Sequence, residues 1–214
     1  MGVGVTQDND SVAVPGAVDA LTDRIHKVEH ENSNLLNLYI ALSQLHSSLV
    51  VSDVLGVIVE VLLNFVGAED FAILVLDDDG ALRPLATHGI EDGRVPRFEV
   101  GSGVVGGTVT SGQVYCERFT GEERRDVSAQ PPIVCVPLSA AGQPIGALPI
   151  WGFLGQKEGF DDIDHEIFKL LATSAGTALE AARLAMTTST SRPPAGYYRA
   201  FAELIGHDGP VAGR

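Results

Sequence analysis

The residues whose types and spacing could do chemistry form short, incomplete patterns. Gly101-Ser102-Gly103-Val104-Val105-Gly106 matches G-x-G-x-x-G, in which glycines let backbone N–H groups approach a pyrophosphate at a helix N-terminus. That fingerprint also needs a buried parallel strand just before it and an acidic residue about 20 positions on. Here Arg97–Val100 is short and Glu117 arrives early, so the glycines are read as turn formers in a loop. A helix N-terminus at this point could still hold an anion. The two cysteines, Cys116 and Cys135, are too few for a disulfide framework and lack C-x-x-C spacing. The apolar strand around Cys135 predicts an inert, buried thiol.

The metal patterns fail in a similar way. His26 and His30 share a helix face at i, i+4 but have no third ligand, and they read as solvated. His165-Glu166 is not followed by the histidine a zinc protease needs. Asp77-Asp78-Asp79-Gly80 lacks the further oxygen ligands of a calcium loop and reads as a hairpin turn. No catalytic residue, metal site or cofactor is assigned.

The remaining sequence must supply the scaffold. Apolar residues make up 45% of the chain and charged residues 20%, enough buryable surface for one substantial core with appendages. The formal net charge of -14 excludes a nucleic-acid partner, because a phosphate backbone would be repelled. No apolar stretch reaches the roughly 20 residues that span a bilayer, and the N-terminus lacks the basic and apolar regions of a signal peptide. A soluble, cytoplasmic protein with no membrane partner is expected. Met1-Gly2-Val3-Gly4-Val5-Thr6 fits a myristoylation pattern that arises often by chance, and nothing is built on it.

Residues 1–16 read as a loose tail. From there Leu21, Val28, Leu35, Leu42 and Leu49 recur every seven residues, with Ile25, Asn32, Tyr39 and His46 in the partner register. This predicts a dimerisation helix over 17–50, with Leu21, Ile25, Val28, Asn32, Leu35, Tyr39 and Leu42 at the interface. Asn32 at an a position favours a parallel, in-register pair. Leu38 and Leu45 widen the stripe, so the later half should dock on a domain. The competing reading is one amphipathic helix packed wholly on its own domain.

A buried helix follows over 54–66, then a hairpin of strands 71–76 and 82–87. A glycine-flanked short helix lies within 101–112, a short strand at 114–117, and a long polar loop over 118–132. Strands 133–139 and 143–153 form a second hairpin, and one long amphipathic helix with an acidic first turn covers 161–186. Residues 187–196 read as a linker. The tail over 197–214 carries an amphipathic segment in which Tyr198, Phe201, Leu204 and Ile205 are candidates for docking a partner or packing back on the domain.

This order of elements resembles a GAF domain over about residues 35–186. The likeness is carried by Leu49-Val50-Val51-Ser52-Asp53-Val54-Leu55, Asp77-Asp78-Asp79-Gly80, Gly101-Ser102-Gly103-Val104-Val105-Gly106 and Ser111-Gly112-Gln113. It continues through Val134-Cys135-Val136-Pro137-Leu138, Gly142-Gln143-Pro144-Ile145-Gly146-Ala147-Leu148, Phe160 with Asp164, and Ala178-Leu179-Glu180-Ala181-Ala182-Arg183-Leu184. The resemblance implies an α+β fold: a six-stranded antiparallel sheet with helices packed on one face and loops roofing a small-molecule pocket on the other. The GAF domain is assigned to residues 51–186. From the pocket-forming segments of the family, Phe98, Val104, Phe119, Cys135 and Pro137 are the ligand-pocket candidates.

The same resemblance frames the function. The leading expectation is a non-catalytic sensory or regulatory protein acting through a homodimer and a protein partner, with a small ligand as a further input. One alternative is a cyclic-nucleotide or other small-molecule sensor. Relatives that bind cyclic nucleotides carry Asn-Lys, then Phe, then Asp-Glu; Lys157, Phe160 and Asp164 match, while Gln156 and His165 depart. A Lys157–Asp164 ion pair would survive as a latch. The other alternative is a thiol-dependent free methionine sulfoxide reductase, with Cys116 the sole conceivable partner for Cys135.

Overall fold

The computed structural model describes residues 15–77, 79–91, 93–119, 125–157, 159–187 and 211–212. Contacts divide the chain into residues 1–37 and residues 38–214. In the first unit the chain is helical from Pro15 onward, the beginning of α1 (Pro15–Leu45), and Leu21, Ile25, Val28 and Leu35 are exposed along it.

In the second unit Leu38, Ala41 and Leu45 of α1 are buried and Leu42 packs beside them. The expected docking of the helix's later half is therefore present. The helix stops at Leu45, so His46 and Leu49 of the seven-residue register fall in the following turn. Ser48 Oγ bonds to Asp53 Oδ2 at 2.8 Å and accepts Val50 N–H at 3.1 Å, fixing the chain's turn into α2 (Val51–Val61). The α2 helix starts three residues before the predicted boundary and runs into a single π turn over Leu62–Val66, ended by Gly67 in the left-handed conformation.

The sheet comprises β1 (Ala68–Leu76), β2 (Ala81–His88), β3 (Phe98–Glu99), β4 (Tyr115–Cys116), β5 (Val134–Ala140) and β6 (Gln143–Phe153), in the order β3-β2-β1-β6-β5-β4. All these neighbours pair antiparallel. A further strand, β7 (Val211–Ala212), pairs parallel with β2. The six antiparallel strands that the resemblance implies are thus present; β6 has its predicted bounds, β1 begins three residues earlier than predicted, and β2, β4 and β5 differ by one residue at each end. The expected helical segment over Tyr198, Phe201, Leu204 and Ile205 lies outside the described residues.

Both faces of the sheet are covered, which is why β1 and β5 read as apolar runs rather than as clean alternation. On one face Phe71, Ile73, Val75, Val134, Val136, Leu138, Leu148 and Ile150 pack with α2 and α4 (Asp162–Thr187). On the other, Ala72, Leu74, Leu82, Cys135, Ala147 and Trp151 meet α3 (Gly103–Ser111) and the loop residue Val95.

Candidate functional site

The second of these faces is where ligand space was expected, and side chains fill it. Trp151 is fully buried there among Val95, Val105, Val109 and Cys135, with Phe98 stacked on its ring at 6.4 Å between centroids. Two hydrogen bonds tie the β4–β5 loop to this residue. The indole Nε1 donates to Gln130 O at 3.1 Å, and Arg125 N–H donates to Trp151 O at 3.2 Å. The loop is stiffened in turn by Asp126 N–H donating to Gln130 Oε1 at 2.8 Å.

The pocket candidates divide among three places. Phe98, Val104 and Cys135 belong to the Trp151 cluster. Phe119 lies in the opposite, helix-side core, where its ring meets Phe153 and Phe160 at 5.0 Å each. Pro137 lines a separate groove of about 490 Å³ with Val109, Ser111, Gly112 and Pro144. Sequence reasoning passed over Trp151, whose face is set by the β5–β6 register. Cys135 opposes Pro149, so Trp151, two residues further on, shares the face of Cys135.

Beyond the plug an open cleft of about 430 Å³ is lined by Asp70, Gly89, Ile90, Glu91, Arg94, Arg125, Asp126 and Val127. Arg94 from the β2–β3 loop reaches Asp126 of the β4–β5 loop at 3.1 Å and bridges the two walls. The Arg125 side chain is 8% exposed and donates to Glu117 Oε2 at 2.8 Å and to Pro131 O at 3.2 Å. Tyr115 Oη donates to the same Glu117 oxygen at 3.1 Å. These two donors, Arg125 first, hold the Glu117 carboxyl below its ordinary pKa. The Ser128 hydroxyl and backbone N–H, with Arg94 adding a smaller effect, hold Asp126 low as well. That Arg125 and Asp126 line the cleft is not legible in the mixed-charge run Glu122-Glu123-Arg124-Arg125-Asp126.

The thiols are kept apart. Tyr115 pairs with Cys135 and Cys116 with Val134, so Cys116 faces the helix-side core while Cys135 faces the Trp151 cluster. Burial pushes the Cys135 thiol up to about 12, against a smaller opposing effect of its hydrogen bond with Thr108. Burial, and then the Asp164 carboxylate, raise Cys116 too. Among the described residues no group of three His, Cys, Asp or Glu side chains could hold a metal ion.

The glycine pattern serves the backbone. A Cβ at Gly106 would collide with the Glu99 carbonyl, and Gly101 N–H donates to Gly106 O at 3.0 Å. The expected latch is also formed. Lys157 Nζ lies 2.7 Å from Asp164 Oδ1, and Asp164 Oδ2 accepts Asp161 N–H while Asp161 Oδ1 accepts Asp164 N–H. That reciprocal pair is a capping box at the start of α4. It fixes Phe160 against Phe119, Phe153 and Phe168, and so anchors the first residues after β4.

A curled antiparallel sheet with helices on one face and a loop-roofed, side-chain-filled face opposite defines an α+β module. The GAF domain family model matches residues 48–180, and the chain belongs to the GAF family. A search of curated protein sequences returns no match.

Solved structures agree on the fold. The GAF domain of an Acinetobacter phosphoenolpyruvate-protein phosphotransferase is 14% identical with a TM-score of 0.54, covering 74% of this chain and 98% of that one. Residues 122 to 287 of a methyl-accepting chemotaxis protein are 23% identical with a TM-score of 0.50, covering 68% and 98%. A free methionine-R-sulfoxide reductase from Neisseria meningitidis, in complex with its substrate, is 22% identical with a TM-score of 0.50, covering 69% and 89%. At such identities the likeness speaks for fold alone. No helix among the described residues is long and apolar enough to cross a membrane.

Proposed function

We propose that this chain is a non-catalytic GAF regulatory protein that pairs through α1 and passes a signal to a protein partner. The observation that carries the reading is the filled ligand face. Trp151 is fully buried on the face where a ligand was expected, and the thiol on that face is buried and held neutral. Thiol chemistry needs the thiolate and an accessible second sulfur. Cys116 and Cys135 face opposite sides of the sheet, which speaks against the reductase reading. Cyclic-nucleotide recognition is disfavoured by the same plug, although the Lys157–Asp164 latch is kept.

Pairing is favoured by a row of exposed apolar side chains on α1: Leu21, Ile25, Val28, Leu35 and Tyr39 are each at least 47% exposed. Apolar residues at seven-residue spacing lose that exposure when a second helix packs on them. Sedimentation velocity should give a dimer at tens of micromolar, and Ile25→Asp with Val28→Asp should give a monomer that keeps its circular dichroism. A monomeric parent protein would overturn the pairing.

A second reading, a small-molecule sensor, is favoured by the cleft between the two loops, whose walls carry both carboxylates and guanidinium groups. Such a lining suits a small polar ligand bearing both signs of charge. Native mass spectrometry of freshly purified protein tests it, the expected result being a retained small mass that Arg94→Ala releases.

A further inference from the structure

The outer edge of β2 is divided. Near its start, Ala81 and Leu82 pair with Glu99 and Phe98 of β3. Near its end, Ala86 and Thr87 pair in parallel with Val211 and Ala212, close to the end of the sequence. An open sheet edge is a row of backbone donors and acceptors that templates pairing with other chains.

The polar groups here are incompletely served. Thr87 is 4% exposed, and its Oγ1 has no hydrogen-bond partner among the described residues; neither does the buried Nδ1 of the adjacent His88. The strand that covers this part of the edge is two residues long. Each backbone bond contributes only about 1 kcal/mol net, which places such a strand at the readily opened end of the stability range.

The strand end under this cover continues directly into the cleft. After His88, Gly89 takes a φ of +68° with its α-carbon against Glu69 and Asp70, where a Cβ would collide with the Glu69 carbonyl and the Asp70 carboxylate. Gly89, Ile90 and Glu91 then form one wall of the cleft, and Asp70 lines it too. The edge covered by the C-terminal segment and the cleft wall thus meet at one corner.

We propose that the β2 edge at Ala86–Thr87 is a strand-docking site whose occupant is the C-terminal segment of the same chain, and that its docking holds the cleft wall Gly89–Glu91 in place. The parallel pairing seated on the edge identifies the occupant. Release of the segment exposes a strand edge for another extended peptide and loosens the wall in the same event.

Hydrogen exchange on the full chain tests this, read by mass spectrometry and compared with a chain ending at Ile205 and with the double substitution Val211→Pro, Ala212→Pro. Both variants should exchange the amides of Leu85–His88 and of Gly89–Glu91 about tenfold faster than the parent, as expected for loss of one or two backbone bonds. The amides of Ile73–Val75 in β1 should keep the parent rate. A synthetic peptide of residues 206–214 added to the truncated chain should restore protection. Unchanged rates at 85–88 in both variants would overturn the docking. Faster exchange at 85–88 with no change at 89–91 would overturn the coupling to the wall. Protection that rises with protein concentration would show a second copy on the edge and overturn docking within one chain.

Discussion

Replacing Trp151 with alanine removes the side chain that fills the ligand face. The side chain is fully buried, stacks on Phe98 at 6.4 Å and donates to Gln130 O at 3.1 Å. Truncating a buried tryptophan costs about 3–5 kcal/mol in lost transfer energy and residual cavity. Leaving the Gln130 carbonyl without its donor adds about 1–3 kcal/mol if the loop cannot turn it to water. Gln130 is exposed and its carbonyl can turn to water, so most of that second cost is relaxed and about 4 kcal/mol is expected in total. With a urea m-value of about 2 kcal/mol/M, the midpoint falls by about 2 M.

Trp151 is the single tryptophan of the chain, so unfolding is followed by far-ultraviolet circular dichroism rather than by emission. Trp151→Phe keeps a ring but loses the donor, and should cost about 1–3 kcal/mol. Free indole should raise the midpoint of Trp151→Ala by refilling the cavity while leaving the parent unmoved, since a ligand stabilises only the state that binds it. If Trp151→Ala unfolds within 1 kcal/mol of the parent, roughly the effect of an ordinary surface change, the residue is not a plug. An equal indole shift in both proteins would show that open ligand space lies elsewhere.

Asp164→Ala should destabilise the fold by about 3–5 kcal/mol, because it strands Lys157 and removes the acceptor of Asp161 N–H. Lys157→Met should cost less, since Asp164 keeps its capping bonds, and urea unfolding of the two variants checks the order. The Glu117 carboxyl is held low by Arg125 and Tyr115, so its contribution is present above the ordinary glutamate pKa and is lost as pH falls through the depressed folded value. Acid titration should therefore loosen the β4–β5 loop at lower pH than free carboxylates titrate, and Glu117→Gln should abolish that step in loop proteolysis. Cys116, half-buried, should react with iodoacetamide before Cys135, whose thiol is buried and pushed up to about 12. Peptide mapping under native conditions should find Cys135 alkylated only after urea is added.

Much of the scaffold was legible because it rests on local pattern. Strand β6 was read at its observed limits, and α4 to within one residue at each end, since an acidic first turn and 3.6-residue periodicity mark a helix whatever it packs on. The Lys157–Asp164 latch was legible through the family resemblance, whose Lys, Phe and Asp positions this chain keeps. Docking of Leu38 and Leu45 followed from a second apolar line on the same helix.

The site was less legible, because it is assembled from segments far apart in sequence. Arg94 and Asp126 meet across 32 positions, and Asp70 joins them from another strand. Phe119 shows the limit most plainly: an aromatic residue in a loop after β4 can turn to either face, and packing on Phe153 and Phe160 sends it to the helix side. Sequence alone pointed to the class of fold, through the order of elements and the motifs that resemble the GAF family, and to the burial of Cys135, through the apolar strand around it. Tertiary structure alone decided that Trp151 fills the ligand face, that the two thiols point apart, and that a polar cleft opens beside the β2 end. Those outcomes depend on sheet register and loop docking, which no local spacing encodes.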